Sequence, residues 1–270
     1  TQQHFQANGL VFRGKVTSIK HSGMVRLVLD QLERNPDSRL LNSAVRYLRV
    51  QDRNEKTIAT RLYNLLTKEK ELFAYQQAHF LMTLRYLRNI PQKVFKLARH
   101  LATKKKIHPY VRQQAVILVS LDDLSDSDLT TFSKIFESEL EPEVKRTWLQ
   151  VLAQLPEQDL RELAESAAFS GDHSVQKTGR FFRLLLSNES RSREQIASLF
   201  NQITEDTLLD RLYQIEVISR SSSPGVREKL ETHLKGAMRL IHRPLLRTRV
   251  MNIINRLKAP RSDRSLFQNL

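Results

Sequence analysis

"HPYVRQQAVILVSL" at residues 108–121 sets the reading of the chain, because its opening returns twice downstream. Residues 141–154 read "EPEVKRTWLQVLAQ" and residues 223–230 read "SPGVREKL". Each copy places a Pro two residues before a Val, and the Val is followed by Arg112, Lys145 or Arg227. A fourth segment, "HSVQKTGRFFRLLL" at 173–186, keeps the Val and the apolar tail without the proline. Val111, Val144 and Val175 are spaced 33 and 31 residues apart. Apolar residues follow each Val at helical intervals: Ala115, Leu118 and Val119, then Trp148, Val151 and Leu152, then Phe182. Gly179 stands where the other copies have Ala115 and Trp148. That spacing puts one apolar stripe on one helical face. Pro109 and Pro142 suit the first helical turn, where a missing N–H is no loss.

A second helical segment precedes each of these: "QKVFKLARHLAT" at 92–103, "SDSDLTTFSKIFESE" at 125–139 and "PEQDLRELAESAAFS" at 156–170. Ser125 and Asp128 have the spacing of a capping box, with Asp in place of the usual Glu. The unit is therefore helix, turn, helix. One such pair cannot enclose its own apolar face, so neighbouring pairs must stack. Further pairs read at 24–35 with 38–50, 55–69 with 72–88, 190–201 with 206–219, and 224–240 with 244–258.

The unit resembles the HEAT repeat family, whose second helix opens with a Pro-x-x-Val-Arg-like stretch before small residues and Leu. Here the spacing is Pro-x-Val, and the clear match covers residues 91–187. The resemblance implies an all-α fold: a right-handed superhelical HEAT-like solenoid of antiparallel helix pairs over residues 23–258. Residues 1–22 are then an N-terminal extension or the remnant of a preceding domain, and 259–270 a flexible tail. In architecture the basic repeat array also resembles the C-terminal helical-repeat region of bacterial reverse transcriptases linked to phage defence. That resemblance implies an accessory domain of an RNA-directed DNA polymerase, although no residue here matches a polymerase motif.

Composition agrees with helices, since Leu, Arg, Gln, Glu, Lys and Ala dominate. With only 7 Gly and 8 Pro, β-hairpins have little raw material. Cys is absent, which excludes disulfides, thiolate zinc sites and a Cys nucleophile and suits a reducing cytoplasm. No apolar run reaches the length of a membrane span, about 18 residues. A start at Thr1, without Met or a signal-peptide pattern, is expected of a piece cut from a longer protein.

Catalytic chemistry finds no foothold. There is no P-loop, no G-x-S-x-G elbow, no H-E-x-x-H, and no His pair at i, i+4. "LDDLSDSDL" offers Asp122, Asp123, Asp126 and Asp128 but lacks the central Gly and closing Glu of an EF-hand. Acidic residues at a helix start answer the dipole instead. Trp148, the sole tryptophan, falls on the inward stripe and reads as core rather than as a base-stacking platform. No catalytic residue, cofactor or metal is expected in this chain, and the activity of any parent protein stays open.

Charge gives the functional expectation. The formal net charge is +15, but successive blocks differ: +5 over residues 1–60, +10 over 61–120, −8 over 121–170 and +8 over 171–270. In 61–120 there are 12 Lys and Arg against only Glu69 and Glu71. Clustered cations displace the counterions of a phosphate backbone and so bind nucleic acid without reading bases. The candidate residues are Arg85, Arg88, Lys93, Lys96, Arg99, Lys104, Lys105 and Lys106, with Arg239, Arg243, Arg247 and Arg249 near the C-terminus. Lys96, Arg99 and His100 share one helical face by their i, i+3, i+4 spacing. In HEAT arrays the residue after the Val pairs with acidic or carbonyl groups in adjacent units, so Arg112, Lys145 and Arg227 are expected to be scaffold. The expected partner is RNA or DNA, single- or double-stranded, held by its backbone in a curved basic groove. The acidic segment 121–170 would turn nucleic acid away and meet a protein or a domain in cis. The competing expectations are a protein–protein interaction scaffold and a HEAT-type DNA repair glycosylase.

Overall fold

Several helix starts fall at prolines and at side-chain caps. The structure, a computed structural model, describes residues 3–7, 10–14, 22–35, 38–49, 51, 54–68, 72–87, 89–187, 194–196, 198, 224–242 and 244–258. Strands β1 (Gln3–Ala7) and β2 (Leu10–Gly14) come first. Helices α1 (Ser22–Arg34), α2 (Ser38–Leu48), α3 (Glu55–Thr67), α4 (Ala74–Leu84), α5 (Gln92–Thr103) and α6 (Pro109–Val119) follow. Then come α7 (Asp126–Ser138), α8 (Pro142–Val151), α9 (Glu157–Ala168), α10 (His173–Leu186), α11 (Pro224–Met238) and α12 (Pro244–Lys258). Pro109, Pro142, Pro224 and Pro244 each occupy the first helical position, where their fixed φ and missing N–H fit. Helices carry the fold, as composition and periodicity led one to expect. The expected pair at 190–201 with 206–219 and the tail at 259–270 lie largely or wholly outside the described residues.

One element departs from the expectation. β1 and β2 pair antiparallel in register Gln3↔Gly14 through Ala7↔Leu10, so residues 3–7 and 10–14 form a two-stranded antiparallel ladder. The low Gly and Pro count argued against hairpins. Asn-Gly at positions 8–9 of the sequence is nevertheless a strong short hairpin signal, and a chain-wide count obscures it.

The chain divides into two compact units, Thr1–Val119 and Ser120–Asp263. In the first, α2 packs on α4 and α4 on α6, while α1 lies on α3 and α5 on α6. The apolar stripes meet between these layers: Val25, Leu29, Leu48, Ile58, Leu62, Leu81, Val94, Ala98, Val111 and Ala115 are all at most 1% exposed. An ion-pair fork ties α3 back to α1. Arg61 donates through Nε to Glu33 Oε1 at 2.7 Å, and its terminal nitrogen lies 2.6 Å from both Asp30 Oδ1 and Glu33 Oε2. The hydrogen bond from Arg61, more than its charge, holds the Glu33 carboxyl below its ordinary range.

In the second unit α7 packs on α8, α9 on α10, α8 and α11 on α10, and α11 on α12. The capping box at α7 forms as its spacing predicts: Ser125 Oγ accepts from Asp128 N at 3.2 Å and Asp128 Oδ2 accepts from Ser125 N at 3.0 Å. Trp148 is fully buried, 4.8 Å from Phe132 between ring centroids, in the core position its stripe assigns it. Val151, Leu152 and Phe182 are equally buried. α10 lacks the proline and uses Asp172 instead, whose Oδ1 accepts from Ser174 N at 2.9 Å and Val175 N at 3.0 Å. Gly179 is where α9 and α10 touch by backbone. A Cβ there would lie 2.3 Å from Ala168 N and 2.6 Å from Ala167 C.

Candidate nucleic-acid interface

The cation after each repeat Val is spoken for. Arg112, 2% exposed, points its Nε at the Ala102 carbonyl 3.5 Å away, in the last turn of α5. Lys145 Nζ donates to Glu137 O at 3.4 Å near the end of α7, and Arg227 donates to Leu257 O at 2.7 Å near the end of α12. Three copies of one sequence position thus answer the free carbonyls and negative dipole end of a neighbouring helix. In each case that helix is the partner within the same pair, whereas the family resemblance implied adjacent units. Scaffold cations are therefore separated from available ones.

The available ones lie on α5. Val94, Phe95, Ala98, Leu101 and Ala102 bury one face of this helix. Lys93, Lys96 and His100 are exposed, and their i, i+3, i+7 spacing lines them along the opposite face. Lys104, the C-cap residue of α5, extends this stripe, and Lys105 and Lys106 in the following turn are exposed beside it. Arg99 does not share the stripe; it is half-buried on its flank, because position 99 falls toward the apolar face. Lys93 Nζ sits 4.5 Å from the Tyr63 ring centroid. Among the described residues, no carboxylate pairs with Lys93, Lys96, Lys104 or Lys106. The described acids of this unit are engaged elsewhere: Asp30 and Glu33 with Arg61, and Glu55 with the backbone N–H of Asn89 at 3.2 Å.

Arg85 belongs to a different group, which sequence reasoning missed. As the C-cap residue of α4, it places its guanidinium 5.0 Å from the Tyr86 ring centroid and donates to the Tyr86 hydroxyl at 3.2 Å. Arg49, just beyond α2, brings a second guanidinium to the same ring at 4.9 Å. Arg49 is half-buried, and its Nε is shielded from solvent with no hydrogen-bond partner among the described residues. Burial pushes the Arg49 guanidinium below its ordinary range. The Tyr86 phenol opposes this, and the charges of Arg85 and Arg46 reinforce it. His79 on α4 is held below its usual range by burial and then by the Arg49 charge, and its Nδ1 is also buried without a partner. Nothing in the local sequence "RYLRV" marks Arg49; contact between α2 and α4 creates the group.

Near the C-terminus, Arg239 and Lys258 are exposed, while Arg247 turns its Nε back to the Ile241 carbonyl. Arg88 and Arg243 lie outside the described residues, as does the side chain of Arg249. The acids of 121–170 take local roles: Asp128 closes the capping box, Glu143 pairs with Arg146 at 2.5 Å, and Glu157 accepts from both Arg161 and Lys229. No helix among the described residues is long and apolar enough to cross a membrane. Comparison with protein-family models, curated proteins and solved structures found no match for this chain.

Proposed function

We propose that the chain is a non-catalytic helical-repeat domain that grips the backbone of RNA or DNA through the basic stripe of α5 and the Lys104–Lys106 turn. The observation that carries this reading is the segregation of cations. Those following the repeat Val are absorbed by helix ends, whereas Lys93, Lys96, Lys104 and Lys106 stand exposed without a carboxylate among the described residues. Lysines at a helix C-terminus also answer its dipole. That accounts for the turn but not for Lys93 and Lys96, which lie in the first half of the helix.

The same proposal includes a right-handed HEAT-like stacking of antiparallel pairs and a place as the accessory domain of a larger nucleic-acid enzyme, such as an RNA-directed DNA polymerase in bacterial defence. It rests on repeat spacing and charge. The acidic segment 121–170 is assigned to a protein or a domain in cis. Trp148 cannot serve a glycosylase pocket, since it is fully buried against Phe132.

The test is anisotropy of labelled RNA and DNA oligonucleotides titrated across salt. The expected result is an affinity that falls steeply with salt, with a shallower slope after Lys104→Glu, Lys105→Glu and Lys106→Glu together. Salt-insensitive binding, or binding untouched by that triple reversal, would transfer the stripe to the scaffold reading, in which acidic protein surfaces are the partner.

A further inference from the structure

Two arginines share one tyrosine ring where α2 ends beside α4, and a histidine on α4 feels the charge of one of them. We propose that Arg49, Arg85 and His79, gathered around Tyr86, form an oxyanion site that takes a phosphate group. Two guanidiniums share one ring at 4.9 and 5.0 Å. A single cation over an aromatic face is favourable by roughly 0.5–2 kcal/mol. A second cation at the same ring repels the first, so the pair is not explained by the ring alone. A helix C-terminus accounts for Arg85 or for Arg46, but not for a half-buried Arg49 whose Nε meets no acceptor among the described residues.

Buried polar groups normally find partners, and a desolvated cation normally finds a counter-charge. Here Arg49 Nε and His79 Nδ1 are both solvent-shielded and both lack one among the described residues. Among the described residues, the charges that act most strongly on Arg49, besides the phenols of Tyr86 and Tyr110, are those of Arg85 and Arg46. An oxyanion placed among these groups would supply the missing acceptor for Arg49 and relieve the repulsion between guanidiniums. With its Nδ1 protonated, a neutral His79 would donate a further hydrogen bond. Planar guanidinium forks match the spacing of phosphate oxygens. The α5 lysines take no part, so this site goes beyond the backbone-gripping stripe and stands or falls separately from it.

The experiment titrates the full 270-residue chain with inorganic phosphate against chloride at matched ionic strength, following thermal unfolding. A saturable, phosphate-specific rise in Tm is expected. Arg49→Gln should weaken phosphate roughly 10- to 100-fold, the loss of one charge-assisted contact. It should also melt no lower than the parent when phosphate is absent, because it removes an uncompensated charge. Arg49→Lys, which keeps the charge but loses the fork, should retain a reduced response. Lys104→Glu, Lys105→Glu and Lys106→Glu together should leave the phosphate response intact, whatever they do to oligonucleotide binding. Oligonucleotides with a 5′-phosphate or a 5′-hydroxyl identify the source. A preference for the phosphorylated end that vanishes in Arg49→Gln assigns the site to a nucleic-acid terminus; no preference, with the inorganic phosphate response retained, assigns it to a free phosphorylated molecule. A Tm response no larger than that of chloride, or one unchanged in Arg49→Gln with Arg85→Gln, overturns the site.

Discussion

Gly179 on α10 and Ala168 on α9 approach so closely that a Cβ at position 179 would sit 2.3 Å from the Ala168 backbone nitrogen. The obstacle is backbone, which cannot rotate aside. Alanine is the better helix former by about 1 kcal/mol. Overpacking a close helix contact costs about 1–3 kcal/mol, however, and here a whole helix must shift. Gly179→Ala is therefore expected to lower stability by about 1–2 kcal/mol net, toward the upper end of that balance, read as a lower urea midpoint. A stabilised variant would show that the two helices part more easily than their contact suggests.

Arg112 gives the scaffold its sharpest test. It is 2% exposed and faces the Ala102 carbonyl. Arg112→Met should cost about 1–3 kcal/mol, the penalty for leaving buried polar groups without their partner. Lys96→Met, on the exposed face of the preceding helix, should stay within about 0.5 kcal/mol. Equal effects on chemical unfolding would erase the distinction between scaffold and available cations.

The stripe on α5 carries a quantitative expectation. If Lys93 and Lys96 each neutralise a phosphate of duplex DNA, replacing both with Gln should reduce the slope of log affinity against log salt by about 2. Affinity should fall alike for all sequences, since no base edge is read.

Acid should loosen the second unit. The Ser174 hydroxyl and the Val175 N–H hold the Asp172 carboxyl below its ordinary range, and the Lys229 hydrogen bond does the same for Glu157. A carboxylate depressed in the folded state stabilises above its unfolded pKa, about 4, and loses that contribution as pH falls through the lower folded value. Asp172→Asn should therefore blunt the decline of Tm below about pH 4 while leaving neutral stability little changed, because Asn also caps well. A decline as steep as in the parent would remove the cap from the account.

What could be read from the sequence was local. Val111 and Val144 fixed two inward stripes, the prolines fixed helix starts, and Ser125 with Asp128 fixed a cap, because each depends on neighbours within one or two turns. The strand pairing was equally local in Asn8-Gly9, yet a chain-wide tally of turn residues hid it. Two features were beyond reach. Gly179 is required by a helix whose backbone arrives from the preceding segment, and Arg49 acquires its environment from α4. Arg99 sits off the stripe for a subtler reason: an i, i+3 relation to Lys96 places it near the stripe, but Phe95 and Ala102, a turn to either side of it, are buried and draw that edge of α5 inward.

Trp148 has a practical consequence. It is the chain's single indole, it belongs to the second unit, and it is sealed from water, whereas five of the six tyrosines fall in the first. Emission excited at the red edge should shift only when the second unit opens, while phenol absorbance mostly follows the first. One cuvette can thus tell whether the halves melt together or in turn.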